Sequence, residues 1–579
     1  MKHSTKYSPQ YHLPPETLLD WAHLDRLTKP PIWCSVDLRD GNQALITPMQ
    51  LEEKIRYYHF LLDLGFKEIE VGFPAASVTE FAFVRHLIDN DLIPDDVAIQ
   101  VLTQSRAHII EKTFEAVRGA KQVIMHLYNS TSTIQRQQVF RKTEDQIIAI
   151  AETGAQLFNE YAKKSPETDF VFQYSPESFS GTEPEFALKV CNALIDIWQP
   201  QAGRQVIINL PATVEHSMPH VYAQQVAYMH KYLNQREHII ISLHPHNDRG
   251  TGVAAAEMGM LAGADRIEGT LFGNGERTGN VDIITLAGNL YTHGVDPQLD
   301  LSDMPRIVRM HEEINKLNVP ERHPYAGSLA FAAFSGSHQD AIAKGMRFRE
   351  EEYAQADESR SDDGNGSNNN LVNSVDITWT VPYLPIDPRD VSREYETDII
   401  RINSQSGKGG VSYILEQNFG FKLPVDLREE LGYFIKDMSD TQAKELLPDE
   451  IHTAFAGEYI NGINPINISA VDWHKEDEDV VARVSFNNGE GIHIRQGRGN
   501  GHLDAARDAI RAQYPELNFQ FEDFSQHALG GESNARAASY VKVSGGADTS
   551  VWGVGVHTDI ATASVYALIS ALNRLNARI

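Results

Sequence analysis

Between residues 32 and 294, short apolar runs alternate with helical patterns, and that rhythm constrains the fold more than any other feature of the chain. The runs fall at 32–38, 68–73, 98–103, 122–128, 169–174, 205–210, 238–243 and 265–271. Near-continuous apolar runs of this length fit strands buried on both faces, as in a parallel sheet. The intervening segments carry helix signals. The first opens on Thr47-Pro48-Met49-Gln50, which reads as an N-cap, a proline at N1 and a glutamine at N3. Leu51, Ile55, Tyr58 and Leu62 then predict one apolar face, and Gly65 predicts the stop. Eight strand–helix units in about 260 residues predict an α/β domain of the (β/α)8 barrel type. A doubly wound open sheet is the alternative, and the lack of G-x-G-x-x-G after an early strand counts against it.

Barrels of this kind carry their active sites at the C-terminal ends of the strands. The residues just past each run are therefore informative. The first run leads to Arg39-Asp40-Gly41-Asn42-Gln43, and the fourth carries His126 and Tyr128. The fifth is followed by Ser175-Pro176-Glu177, and the sixth contains Asn209 and precedes Thr213. The seventh leads to His244-Pro245-His246-Asn247-Asp248, and the eighth to the stretch 273–280, GNGERTGN, ending in Asn280. Residues i and i+2 of an extended chain share a side, so His244 and His246 project together. An isolated H-x-H is a weak signal and reads equally well as two separately hydrogen-bonded loop histidines. With Asp40 and Asn280 it becomes a candidate set of mixed N/O ligands for a divalent cation. Without a thiolate that set fits Mg²⁺, Mn²⁺, Zn²⁺ or Co²⁺ and does not choose among them. Arg39, beside Asp40, could stabilise an oxyanion on a bound carbonyl. Glu177, His338 and Tyr383 are candidate proton-transfer groups. His126, Tyr128, Ser175, Asn209 and Thr213 are candidates for holding a small carboxylate substrate.

Residues 1–31 read as an extension, 32–300 as the barrel, 301–464 as mostly helical linker subdomains and 465–579 as a separate α+β domain. The last contains an echo: Gly497-x-Gly499 precedes a helix with Ala505, and Gly553-x-Gly555 one with Ala561. Two related β-rich-then-helix units predict a pseudo-symmetric small-ligand or subunit interface. Residues 357–374 are acidic and of low complexity, and read as an exposed loop. Net charge is −28, which argues against nucleic acid or an anionic membrane as partner. Cys34 and Cys191 form no C-x-x-C, so a disulfide framework is not expected and a reducing, cytoplasmic compartment fits. No signal peptide and no membrane span are read.

The motifs at 38–43 (LRDGNQ), 244–248 (HPHND) and 273–280 together resemble the Claisen-condensing, metal-dependent barrels, and most closely the long form of the 2-isopropylmalate synthase family. The stretches at 175–183, 335–341, 381–388 and 403–410 extend the likeness over nearly the whole chain. The resemblance implies condensation of acetyl-CoA with 3-methyl-2-oxobutanoate, then thioester hydrolysis. It implies a divalent ion, Mg²⁺ or Mn²⁺ before Zn²⁺, on Asp40, His244, His246 and Asn280, with K⁺ as an activator. It gives Arg39 the developing alkoxide, Glu177 and His338 the methyl proton with help from Tyr383, and His126 and Thr213 the 2-oxo acid. It further implies a homodimer that shares His338 and Tyr383 across subunits. Leucine would be the effector, bound around Gly497, Gly499, Ala505, Gly553, Gly555 and Ala561. Citramalate or homocitrate synthesis, a related lyase, and a leucine-sensing protein with an inactive barrel are the competing readings.

Overall fold

A computed structural model describes residues 3–578, except 334, 362–377, 396–407, 443–445, 488–490, 531–534 and 546–548. The acidic stretch from 362 onward and positions 403–407 of the 403–410 motif lie outside the described residues. The chain forms two compact units, Met1–Ala330 with Pro388–Glu394, and Phe331–Asp387 with Tyr395–Ile579.

In the first unit β1 (Ile32–Ser35), β2 (Glu68–Gly72), β3 (Ala98–Gln104), β4 (Gln122–Ser130), β5 (Asp169–Glu177), β6 (Val206–Ala212), β7 (Ile239–Pro245) and β8 (Arg266–Gly269) pair in order and close into a barrel. All eight ladders are parallel, and β8 returns to β1. Closure excludes the open sheet. Helices α1 (Leu51–Asp63), α2 (Val78–Asp89), α3 (Ala107–Ala116), α4 (Glu144–Ala162), α5 (Pro184–Trp198), α6 (Pro219–Tyr232), α7 (Gly252–Leu261) and α8 (Ile283–Thr292) succeed the strands in turn, and α9 (Met304–Asn315) comes after them.

Two boundaries differ from the sequence reading. The first strand stops at Ser35, and Asp37–Gly41 wind into a π-type turn that carries Arg39 and Asp40. Helix α1 starts at Leu51, not Pro48. The Met49 amide donates to Asn42 Oδ1 at 2.7 Å, which ties the preceding residues to the barrel mouth. Gln50 then becomes the N-cap, with its amide donating to Glu53 Oε2 at 2.9 Å. The buried face of α1 runs through Lys54, Tyr57, Tyr58 and Leu61, one position round from the expected stripe. Gly65, at φ 99°, ends the helix as expected.

The barrel interior is not purely apolar. Glu70, Gln100, Gln173, Arg266 and Glu268 are fully buried. Arg266 donates to Glu68 Oε2 at 2.5 Å, Gln100 Oε1 at 2.7 Å, Ser242 Oγ at 2.8 Å and Glu268 Oε1 at 2.8 Å. Gln100 Nε2 donates to Glu70 Oε1 at 3.0 Å and Glu268 Oε1 at 2.9 Å, and Gln173 Nε2 to Glu268 Oε1 at 2.6 Å. Buried charges are tolerable only when paired this thoroughly.

In the second unit α10 (Gly336–Ser361), α11 (Lys408–Phe419), α12 (Val425–Gln442) and α13 (Pro448–Tyr459) precede two βββα modules. The first is β9 (Ile468–Glu476), β10 (Asp479–Asn487), β11 (Ile492–Gly499) and α14 (His502–Gln513). The second is β12 (Gln520–Leu529), β13 (Arg536–Ser544), β14 (Ser550–His557) and α15 (Ile560–Arg578). Each module is an antiparallel three-stranded sheet under its helix, and Val484, Phe486, Val541, Val551 and Leu568 belong to one shared core. The paired glycines read from sequence explain how the helices come so close. A Cβ on Gly497 or Gly499 would run into the α14 backbone at Ala505, and one on Gly553 or Gly555 into α15 at Ala567. No helix among the described residues is long and apolar enough to cross a membrane.

Replacing Arg266 by Met removes the guanidinium that joins Glu68 to Glu268 inside the barrel. Denaturant unfolding of this variant should show the barrel destabilised by about 3–5 kcal/mol. An unchanged transition would mean that the arginine is not what makes those carboxylates tolerable.

Candidate active site at the barrel mouth

The π-type turn after β1 is wound around one carbonyl. Val36 O accepts from the amides of Arg39, Asp40 and Gly41 at 3.2, 2.9 and 3.1 Å. The turn folds the Asp40 carboxylate back over the lumen. His244 sits on β7 opposite Pro211 of β6, and His246 lies just beyond, its amide donating to Ala212 O at 3.2 Å. Asp40 Oδ2 lies 3.5 Å from His244 Nε2 and 3.8 Å from His246 Nε2. One ligand atom from each of Asp40, His244 and His246 falls within 4.8 Å of the others. Asn280 pairs with His246 in an isolated bridge, and its Nδ2 donates to Asn274 O at 2.9 Å. Asp40 Oδ2, His246 Nδ1 and Asn280 Oδ1 are buried and have no hydrogen-bond partner among the described residues. Buried polar atoms are normally satisfied, so an open Asp40 oxygen whose residue gathers with His244 and His246 within 4.8 Å points to a ligand.

The surroundings set the charges. Burial alone would neutralise Asp40, but Arg39 and the two histidines hold it far below the usual carboxylate range. Burial also opposes charge on His244, yet Asp40 and Glu268 overcome it and raise the imidazole to about 9. Burial, reinforced by the neighbouring His244, pushes His246 down to about 4. His244 Nδ1 lies 2.8 Å from Glu268 Oε2, which fixes the ring and turns Nε2 toward Asp40. Arg39 contacts Asp40 through Nη1 and donates from Nε to Glu70 Oε2 at 2.5 Å.

A cavity of about 180 Å³ opens above these groups. Arg39, Asp40, His126, Tyr128, Ser175, Glu177, Asn209, Thr213, His244 and His246 line it. His126 is bridged between Glu70 Oε1 (2.9 Å, at Nδ1) and Ser175 Oγ (2.7 Å, at Nε2). Asn209 Nδ2 donates to Ser175 Oγ at 2.9 Å and to Glu268 Oε2 at 3.1 Å. Tyr128 OH accepts from Gln104 Nε2 at 2.7 Å, Thr213 Oγ1 accepts from the Ser178 amide at 3.0 Å, and Glu177 accepts from the Ser130 hydroxyl.

The chain matches three family models in succession. Residues 30–310 match an HMGL-like model, 328–416 an alpha-isopropylmalate synthase post-catalytic domain-like model, and 445–576 a LeuA allosteric (dimerisation) domain. It is 54% identical to a 2-isopropylmalate synthase of Helicobacter hepaticus over 99% of both chains. Identity to the same enzyme of Desulfitobacterium hafniense is 53% over 99% of both. For Schizosaccharomyces pombe it is 48%, covering 95% of this chain and 92% of that one. The chain belongs to the 2-isopropylmalate synthase family. The members are condensing acyltransferases of leucine biosynthesis, and this chain is one of them.

Within this 2-isopropylmalate synthase fold, the first unit brings together every site residue expected of the barrel. Ser175, Glu177 and His244 lie on strands rather than after them, because β5 and β7 run longer than their apolar cores. His338 and Tyr383 belong to the second unit, where their rings stack at 3.9 Å, and Tyr383 is 60% exposed at φ 64°. A cavity of about 790 Å³ lies between the two βββα modules, at the N-termini of α14 and α15. Ala561 lines it; Ala505 is fully buried, and the four glycines lie beneath the helices. Sequence reasoning missed Glu70, Glu268 and Gln100, which orient the site, and Leu102, Pro211, Gln43 and Glu276, which complete the cavity wall. The signal was present for the first three. Each is a polar residue within a parallel strand, where burial on both faces makes it anomalous.

Proposed function

We propose that this chain condenses acetyl-CoA with 3-methyl-2-oxobutanoate and hydrolyses the resulting thioester to 2-isopropylmalate and CoA, with a divalent cation bound by Asp40, His244, His246 and Asn280. The observation that carries this reading is the gathering of Asp40, His244 and His246 ligand atoms within 4.8 Å, with one Asp40 oxygen buried and open and Arg39 on the other. One carboxylate, two imidazoles and an amide oxygen suit Mg²⁺, Mn²⁺ or Zn²⁺. A bound divalent ion supplies polarisation of the ketone and offsets negative charge that develops on its oxygen.

The chain's own residues do the rest. His126 and Thr213 hold the 2-oxo acid, with Tyr128, Ser175 and Asn209 completing the polar wall. Leu102 and Pro211 provide an apolar wall for a short branched chain. Glu177 and His338 serve the transfer of a proton from the acetyl methyl, with Tyr383 assisting. The methyl carbon then attacks the ketone carbon, whose oxygen ends protonated, and Arg39 faces the charge that forms there. Water finally cleaves the thioester and CoA leaves. A homodimer would supply His338 and Tyr383 to its partner's barrel, consistent with the dimerisation domain matched at 445–576.

Leucine is proposed to bind in the cavity between the modules. Two helix N-termini meet there, which suits a carboxylate, while Asp504 and Asp559 suit an ammonium group. Leu503, Phe521, Phe524 and Ile560 supply apolar surface. The glycines beneath the helices act indirectly, by letting α14 and α15 approach the sheets.

Three measurements test these assignments. Exhaustive chelation should abolish CoA release, and Asp40→Ala should lower kcat at least about 100-fold, near 2.7 kcal/mol. Turnover that survives both would remove the cation from the mechanism. Pyruvate and 2-oxoglutarate should each show kcat/KM about tenfold or more below 3-methyl-2-oxobutanoate. Equal or better use of either would reassign the substrate. Ala561→Phe, which fills the intermodule cavity, should raise the leucine concentration for half-inhibition by on the order of tenfold. An unshifted inhibition curve would place the effector elsewhere.

A further inference from the structure

The stretch from Thr270 to Asn280 carries Glu276 and Asn280 to the barrel mouth, and its backbone is held in an unfavourable shape. Phe272 sits at φ 58°, ψ 18°, in the left-handed region, and Gly273 comes next at φ 70°. A bulky L-residue stays there only where its surroundings impose it, and such outliers cluster at functional sites.

What imposes it is a grip from outside the barrel. The Phe272 ring meets His311 edge-on at 4.7 Å and His323 edge-on at 5.2 Å. Both histidines are buried. His311, on α9, is fixed through Nδ1 by Asn315 Nδ2 at 2.9 Å. His323 is fixed at both nitrogens, Nε2 to Asp282 Oδ2 at 2.7 Å and Nδ1 to Pro324 O at 2.8 Å. Both partner atoms are acceptors, so both ring nitrogens donate. Asp282 also caps α8, accepting from the Ile284 amide at 3.0 Å. The grip is transmitted directly: Gly273 O, next to Phe272, accepts from the Asn280 amide at 3.1 Å. On the barrel side, the Leu271 amide donates to both oxygens of Asp37 at 3.2 Å. Neither histidine lines the cavity.

We propose that His311 and His323 are positioning residues that clamp the ring of Phe272, and through it set the place of Glu276 and Asn280 at the barrel mouth. The proposal rests on the cation-binding role proposed for Asn280. It makes α9 and the residues after it part of the active-site scaffold. That stretch runs to Ala330, where the chain first leaves the barrel unit, so the segment leaving the barrel also holds the loop that completes the site.

The ring and the backbone strain can be separated by Phe272→Gly, since glycine accepts the left-handed conformation without cost and offers nothing to grip. Full-length, ion-free protein is compared by amide hydrogen exchange across residues 271–280, and Mn²⁺ affinity is measured by titration calorimetry, with Asp40→Ala as control. In Phe272→Gly, exchange at 273–280 should rise at least about tenfold. Mn²⁺ binding should weaken by about 10–100-fold, with the thermal midpoint within about 3 °C of wild type. His323→Gln should shift both readouts the same way, and it carries the test should Phe272→Gly fail to fold. Unchanged exchange in the folded variants overturns the clamp, whether or not Mn²⁺ affinity falls. If Asp40→Ala binds Mn²⁺ like wild type, the cation site is what fails, and the exchange result still decides the clamp.

Discussion

The structure depends on keeping ionic side chains charged inside a closed barrel. Burying one charge is prohibitive, so the chain buries a circuit. Arg266 joins Glu68 to Glu268, Glu268 holds His244, and His244 faces Asp40. Asp40 pairs with Arg39, Arg39 with Glu70, and Glu70 with His126. His126 bonds Ser175, and Asn209 bonds Ser175 and Glu268, closing the ring. Residues from β2, β4, β5, β6, β7 and β8 and the turn after β1 are thereby locked to one another across the lumen. No member can turn away without leaving a partner unpaired in a low-dielectric interior.

Orientation at the mouth is set by that circuit. Two of the proposed ligands already have their second positions engaged, His244 on Glu268 and Asn280 on Asn274, and His244 thereby turns Nε2 toward Asp40. Arg39 is pinned between two carboxylates and keeps its charge at the cavity wall. The loops over the mouth are tied as well. Arg277 bonds both oxygens of Asp248 and also reaches Thr213 O at 2.5 Å, joining the turns after β6, β7 and β8. Preorganisation of this kind places groups where charge will develop before any substrate arrives. The C-terminal modules solve a different problem. Glycine on the strand beneath alanine on the helix lets backbone approach backbone, and the helix N-termini are carried to one cavity.

Much of this was legible in the chain. The spacing of apolar runs announced eight strands, because a strand covered on both faces must be apolar along its length. His244-Pro245-His246 and Asp40 announced a shared locus, because strand ends of a barrel converge. The reading of α1 failed locally. Thr47-Pro48 has the right chemistry for a cap, but Asn42 captures the Met49 amide first, and the helix begins at Leu51. His244 and Ser175 were placed after their strands because hydrophobicity marks the middle of a strand, not the polar end that still pairs.

By itself the sequence determined the eightfold rhythm, the paired modules at the C-terminus and the residue types gathered at the strand ends. These are properties of periodicity and composition, which a linear chain displays directly. Only the tertiary structure decided which buried atoms remain open, which carboxylate orients which imidazole, and that His311 and His323 meet at Phe272. Those are relations between groups tens to hundreds of positions apart, and they come into being only when the barrel closes and brings its inward faces within hydrogen-bond reach.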